Sequence, residues 1–142
     1  MMLRLPLVAL SLIALLASAP MARAETIAFT ADLKGPAETS SASGKLDATF
    51  ETTTSTLSWI IVYSGLTGGP TGAYFHGPAE SDTFFTATIH LSGSFASPIK
   101  GSSHLTKMQA ADLLAGKWYF VIHTAANPRG ELRGQLARAE TP

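Results

Sequence analysis

Polar and hydrophobic residues alternate through much of the chain. From Thr26 to Leu33, Ile27, Phe29, Ala31 and Leu33 fall on one side and Thr26, Ala28, Thr30 and Asp32 on the other. A period of two is the mark of a half-buried strand. Lys34-Gly35-Pro36 ends it, because proline cannot donate to a ladder. Gly44 to Phe50 repeats the pattern through Leu46, Ala48 and Phe50. Leu57 to Tyr63 is almost continuously apolar, rich in β-branched and aromatic side chains, and predicts a central strand containing Trp59 as a core residue. Ser64 to Gly72 is dense in glycine and carries Pro70, which predicts a loop. Thr83 to Leu91 alternates again, with Phe85, Ala87, Ile89 and Leu91 inward and His90 outward. One helix is predicted next. Thr106 and Gln109 form a Thr-x-x-Gln capping box, Gly116 suits the position past the end, and Met108, Ala111 and Leu113 or Leu114 give the apolar stripe. Lys117 to Thr124 and Glu131 to Arg138 read as two final strands, the first with Trp118, Phe120 and Ile122 in the core. About seven short strands, regularly punctuated, predict an all-β antiparallel sandwich or barrel.

Residues 1–24 stand outside this pattern. Arg4 precedes an apolar run from Leu5 to Ala17 broken only by Pro6 and Ser11, and Ala22-Arg23-Ala24 offers small residues at both positions a signal peptidase reads. A cut at the alternative Ala17-Ser18-Ala19 would leave Pro20 next to the scissile bond. The run falls short of the roughly 20 apolar residues that span a bilayer. It predicts an export signal cleaved after Ala24, a secreted or periplasmic protein without a stable membrane anchor, and a mature domain of residues 25–142. That domain keeps eight basic residues against ten acidic ones, so gripping a nucleic-acid backbone is not its task. The chain is 46% hydrophobic and only 14% charged, unlike a disordered segment. It has no cysteine, which excludes disulfides, thiolate metal sites and a cysteine nucleophile.

Three segments carry a resemblance. Gly65-Leu66-Thr67 leading into Ala73-Tyr74-Phe75-His76-Gly77-Pro78-Ala79, then Leu105-Thr106 with Leu113 to Tyr119, then Val121-Ile122-His123-Thr124 followed by Pro128-Arg129-Gly130-Glu131-Leu132-Arg133-Gly134-Gln135-Leu136 resemble successive motifs of the CHRD domain, the module repeated in chordin. The opening Phe29-Thr30-Ala31-Asp32-Leu33 with Gly35-Pro36-Ala37-Glu38 is similar to that family's start, and the match runs over about residues 27–137. The resemblance implies an immunoglobulin-like antiparallel Greek-key sandwich with one short helix near the C-terminal half, exported and standing alone in bacteria. It implies little about chemistry; in chordin such domains belong to a protein that captures growth factors. Two positions depart from the family pattern. Tyr74 stands where the first histidine of a His-x-His pair is usual, and Val121 where an asparagine precedes Val-His-Thr.

His76 and His123 are the candidate metal ligands, for copper or zinc, with Tyr74 or His90 as a third donor, since neutral imidazole is the commonest transition-metal ligand. The alternative is that each imidazole ties a loop to a neighbouring carbonyl. Glu131 and Arg133, two apart on a strand, are expected on one face, where they bind a polar ligand or pair with Asp82 or Lys117. Tyr63 and Tyr119 are too few for a carbohydrate platform. There is no Gly-x-Ser-x-Gly elbow, His-Glu-x-x-His pair, phosphate loop or dinucleotide fingerprint. A faint likeness to copper–zinc superoxide dismutase lacks its first histidine and its disulfide, so dismutation is not expected. The expectation is a non-catalytic, monomeric or weakly associating CHRD protein, a binding or structural module of the envelope or secreted fraction with a macromolecular partner; the rival is a copper or zinc domain.

Overall fold

A computed structural model describes residues 17–21, 23–36, 40–78 and 87–140. Strands β1 (Thr26–Lys34), β2 (Ser43–Glu51), β3 (Thr56–Ser64), β4 (Pro70–His76), β5 (Ala87–His90) and β6 (Ile99–His104) precede helix α1 (Lys107–Leu114). Strands β7 (Tyr119–Thr124), β8 (Leu132–Gln135) and β9 (Ala137–Arg138) follow it. All pairings are antiparallel, in the order β5-β4-β7-β8-β1-β2-β3-β6, with β9 added to β1. The all-β class with one short helix is as expected. Among the described residues the strands number nine rather than about seven, and the two layers are halves of one continuous sheet. It curls until Trp59 on β3 and Phe75 on β4, far apart in the order, meet edge to face at 5.1 Å between ring centroids.

The alternation in β1 and β2 behaves as read: Phe29, Ala31, Leu33, Leu46, Ala48 and Phe50 are buried. In β3 only Leu57, Trp59 and Ile61 are buried, while Ile60 and Val62 are about half exposed. The strand is therefore covered on one face, and its apolar run does not mark a central, doubly covered position. Three residues taken for loop, Pro70 to Gly72, open β4. Strand β6, Ile-Lys-Gly-Ser-Ser-His, was not foreseen, because only Ile99 in it is a buried apolar residue. The final run splits at Leu136, whose amide bonds the Trp118 carbonyl, between the pairing of β8 with β7 and that of β9 with β1.

Both halves of the Thr106–Gln109 capping box form, and Gly116 takes φ +75° just past the C-cap. The buried side of α1 is Ala110, Leu113 and Leu114; Met108 is 77% exposed and Ala111 is also exposed, so the stripe is rotated from the one expected. Residues 83–86 of the strand predicted over Thr83–Leu91, including Phe85, lie outside the described residues, as do most of the signal segment, Ala37, Glu38, Ala79 and Asp82. Among the described residues no helix is long and apolar enough to cross a membrane.

Glu131 is fully buried just before β8, whereas Arg133 within β8 is only partly buried. Its carboxylate accepts from the Ser40 hydroxyl (2.7 Å), the Thr67 amide (2.8 Å) and hydroxyl (3.3 Å), the Thr124 hydroxyl (2.8 Å) and the Asn127 amide (3.1 Å). Lys117 is not among these partners. Burial pushes its pKa up; the hydroxyl of Ser40, the amide of Thr67 and then Thr124 and Asn127 outweigh that and bring it down to about 2. One carboxylate thus ties together the segment before β2, the β3–β4 loop and the β7–β8 loop.

Candidate functional site

Alternation along β4 sends Ala73 and Phe75 into the core and leaves Tyr74 and His76 on the outer face. The register then chooses their neighbours. Tyr74 lies opposite His90 of β5 and Val121 of β7, His76 opposite Ala87 and Tyr119, and Gly72 opposite His123. Gly72 is required here, because the Tyr74 ring folds back over it and occupies the space a Cβ would need.

Tyr74 is the centre of a cluster of rings. It meets His90 edge to face at 4.9 Å, His123 at 5.2 Å and His76 at 6.0 Å between centroids. His76 stacks on Tyr119 at 4.8 Å with the planes 5° apart. The Arg133 guanidinium lies 5.7 Å from the Tyr119 ring centre, within cation–π range, and donates to the Arg129 carbonyl at 2.8 Å. Tyr119 is 1% exposed, and Tyr63 lies on β3 with its hydroxyl bonded to the Phe95 carbonyl, so the two tyrosines share no surface.

His123 is the penultimate residue of β7, and its Nδ1 is 2.9 Å from the Pro128 carbonyl. A carbonyl only accepts, so Nδ1 carries the proton and, in the neutral ring, Nε2 carries the lone pair. Thus His123 does anchor the β7–β8 loop. Its Nε2 is nevertheless buried without a hydrogen-bond partner. Orientation of one nitrogen by a backbone carbonyl, leaving the other as a donor, is the usual outer-shell pattern of a metal-bound histidine.

The structure therefore brings together Tyr74, His76, His90 and His123 as candidates and adds Tyr119 and Arg133, which the sequence did not connect with them. His104 lies away, on β6 opposite Thr56. The rings of His76 and His123 are 6.5 Å apart and inclined by 50°. Two imidazoles sharing one ion at about 2 Å from each nitrogen hold their centres about 5–6 Å apart, so these two would have to draw slightly closer. Among the described residues no three histidine or acidic side chains are grouped to hold a metal.

The fold and this surface define a class: an all-β domain whose outward ring cluster sits on a sheet knotted at one end by a buried carboxylate. The CHRD domain family model matches residues 28–136, most of the chain, and the protein belongs to that family. Neither a curated protein nor a solved structure matches the chain.

Proposed function

We propose that the chain is an exported recognition module that contacts a macromolecular partner through the Tyr74-centred rings. Its family supports a non-catalytic binding or structural role. The observation that carries the choice of surface is the ring cluster itself: Tyr74, with three imidazoles around it, lies outside the core cluster and on the outer face of β4. Aromatic and cationic side chains of this kind dominate recognition energetics. The mature domain acts as a monomer, released by cleavage after Ala24, in the periplasm or the medium. Mass spectrometry of the exported protein should find Glu25 at its start; retention of residues 1–24 would refute the export reading. In side-chain NMR with solubilised envelope fraction, the signals of Tyr74, His90 and His123 should broaden first. Broadening centred on another face would refute the choice of surface.

A second reading has its own support in the oriented Nδ1 and orphaned Nε2 of His123. It is a copper or zinc site formed by His76 and His123, with Tyr74 as a third donor. Calorimetric titration with each metal, beside a His76→Ala, His123→Ala double variant, tests it. Saturable binding lost in the variant supports the site, and equal weak heats from both proteins remove it.

A further inference from the structure

The bond between Ala24 and Glu25, where the export reading places the cut, has no spacer between it and the sheet. Glu25 supplies the nitrogen of that bond, and this nitrogen donates to the Thr52 hydroxyl at 3.2 Å. The Glu25 carbonyl accepts from the Thr52 amide at 3.0 Å. The next residue, Thr26, is already in the ladder opposite Glu51 and donates its hydroxyl to that carboxylate at 3.0 Å. Pairing then runs without a break from Thr26↔Glu51 to Lys34↔Ser43. Ile27 packs against the core, and Phe29 belongs to it. On the other side of the bond, residues 17–21, 23 and 24 are exposed and lie outside any helix or strand. The change from bare chain to hydrogen-bonded sheet therefore falls on the scissile bond itself.

A peptidase cuts chain that is exposed and locally unfolded. Here the residues after the bond are held by β2 and the turn that follows it. Strand β1 also runs inside the sheet, between β8 and β2, so its start cannot be drawn out far without opening the core at Phe29. We infer that the domain closes its own processing site: cleavage after Ala24 has to precede the pairing of β1 with β2, and a copy that folds first keeps its leader. The inference rests on the export reading and adds an order of events to it. Hydrolysis adds one water across the Ala24–Glu25 amide, leaving a carboxylate on Ala24 and an ammonium on Glu25. That ammonium still has a hydrogen for the Thr52 hydroxyl, so the sheet that shields the uncut bond also seats the cut end.

The test uses the full 142-residue precursor, folded in detergent micelles and incubated with a bacterial signal peptidase, beside two variants. Leu46→Asp sets a charge at a core position that is 0% exposed and leaves the domain unfolded. A Gly-Ser-Gly-Ser insertion between Glu25 and Thr26 lets β1 pair as before and frees the bond. Near-ultraviolet circular dichroism shows which proteins are folded, and mass spectrometry of timed samples reads the position and rate of the cut. Both variants should be cut after Ala24 at similar rates, and the folded wild-type precursor at least about tenfold more slowly. A folded wild-type precursor cut as fast as Leu46→Asp would overturn the inference and leave the export reading standing. So would a folded spacer variant cut as slowly as wild type, because the fold at large and not the missing spacer would then be the barrier. No cut after Ala24 in any of the three proteins removes the export reading and the inference with it. If the spacer variant does not fold, wild type against Leu46→Asp still decides.

Discussion

Replacing Glu131 by glutamine keeps the volume of the side chain but removes the charge at which five donor groups are aimed. The variant Glu131→Gln places an NH₂ where hydroxyl and amide hydrogens of Ser40, Thr67, Thr124 and Asn127 already point. Hydrogen bonds to a charged group are worth about 1.5–3 kcal/mol each, and a buried donor left facing another costs about 1–3 kcal/mol. Some donors will turn to the remaining oxygen, so a net loss of about 2–4 kcal/mol at neutral pH is expected, or roughly 10 °C in Tm for a domain this size. The pH dependence gives the sharper test. The folded carboxyl titrates near 2 and the unfolded one near 4.5. The stabilisation is therefore complete above the unfolded value and is lost as pH falls toward the folded one. Allowing for water near the surrounding loops, about 2 kcal/mol of the difference between wild type and variant should vanish between about pH 5 and pH 2. Urea unfolding of both proteins across that range measures it, and other carboxylates cancel in the difference. A gap that stays constant with pH would refute the charged-carboxylate explanation, whatever its size at neutrality.

Thr106→Ala removes the hydroxyl that accepts from the Gln109 amide, leaving only the Thr106 backbone half of the capping box, and should cost about 1 kcal/mol, seen as a fall of a few degrees in Tm by calorimetry. Gly72→Ala sets a methyl group where the Tyr74 ring lies; loss of the Tyr74–His123 contact in NMR, with about 1–3 kcal/mol of destabilisation, is expected. Tyr74→His restores a His-x-His pair beside His90 and His123, and should raise copper affinity at least about tenfold by calorimetry if the second reading of the ring cluster holds.

How far the sequence could be read depended on whether each element advertises itself locally. In β1 and β2, every second residue from Phe29 and from Leu46 onward is buried, and the boundaries agree within a residue or so. The capping box of α1 is a four-residue signal and formed as written. Its buried face was misjudged because an eight-residue helix leaves Met108 and Ala110 to be sorted by what the sheet presents, not by periodicity. Strand β6 was hidden by its serines and glycine: Gly101 is inward-facing, and the space its missing side chain leaves is filled from β3 by Trp59. His76 and His123 were legible as a pair through the family resemblance, while His90 joined them only through the β4–β5 register. Glu131 was the least legible residue, since two of its partners, Thr67 and Ser40, stand 64 and 91 residues away.

That carboxylate also gives the family motifs a physical meaning. Thr67 belongs to the Gly-Leu-Thr segment, Thr124 to the Ile-His-Thr segment and Glu131 to the Arg-Gly-Glu-Leu segment, and the three meet at one pair of oxygens. The same knot holds Asn127 and so fixes the β7–β8 loop, whose Pro128 carbonyl sets the proton of His123 on Nδ1 and leaves Nε2 as a buried acceptor without a partner. A fold signature spread over some sixty residues therefore acts at a distance on one imidazole nitrogen. The motifs then specify how the outer ring surface is held, while Tyr74 and Val121, the two departures, alter what that surface offers. In this chain the motif residues that build the carboxylate knot are all present, while Tyr74 and Val121 change the outer face of the neighbouring strands β4 and β7.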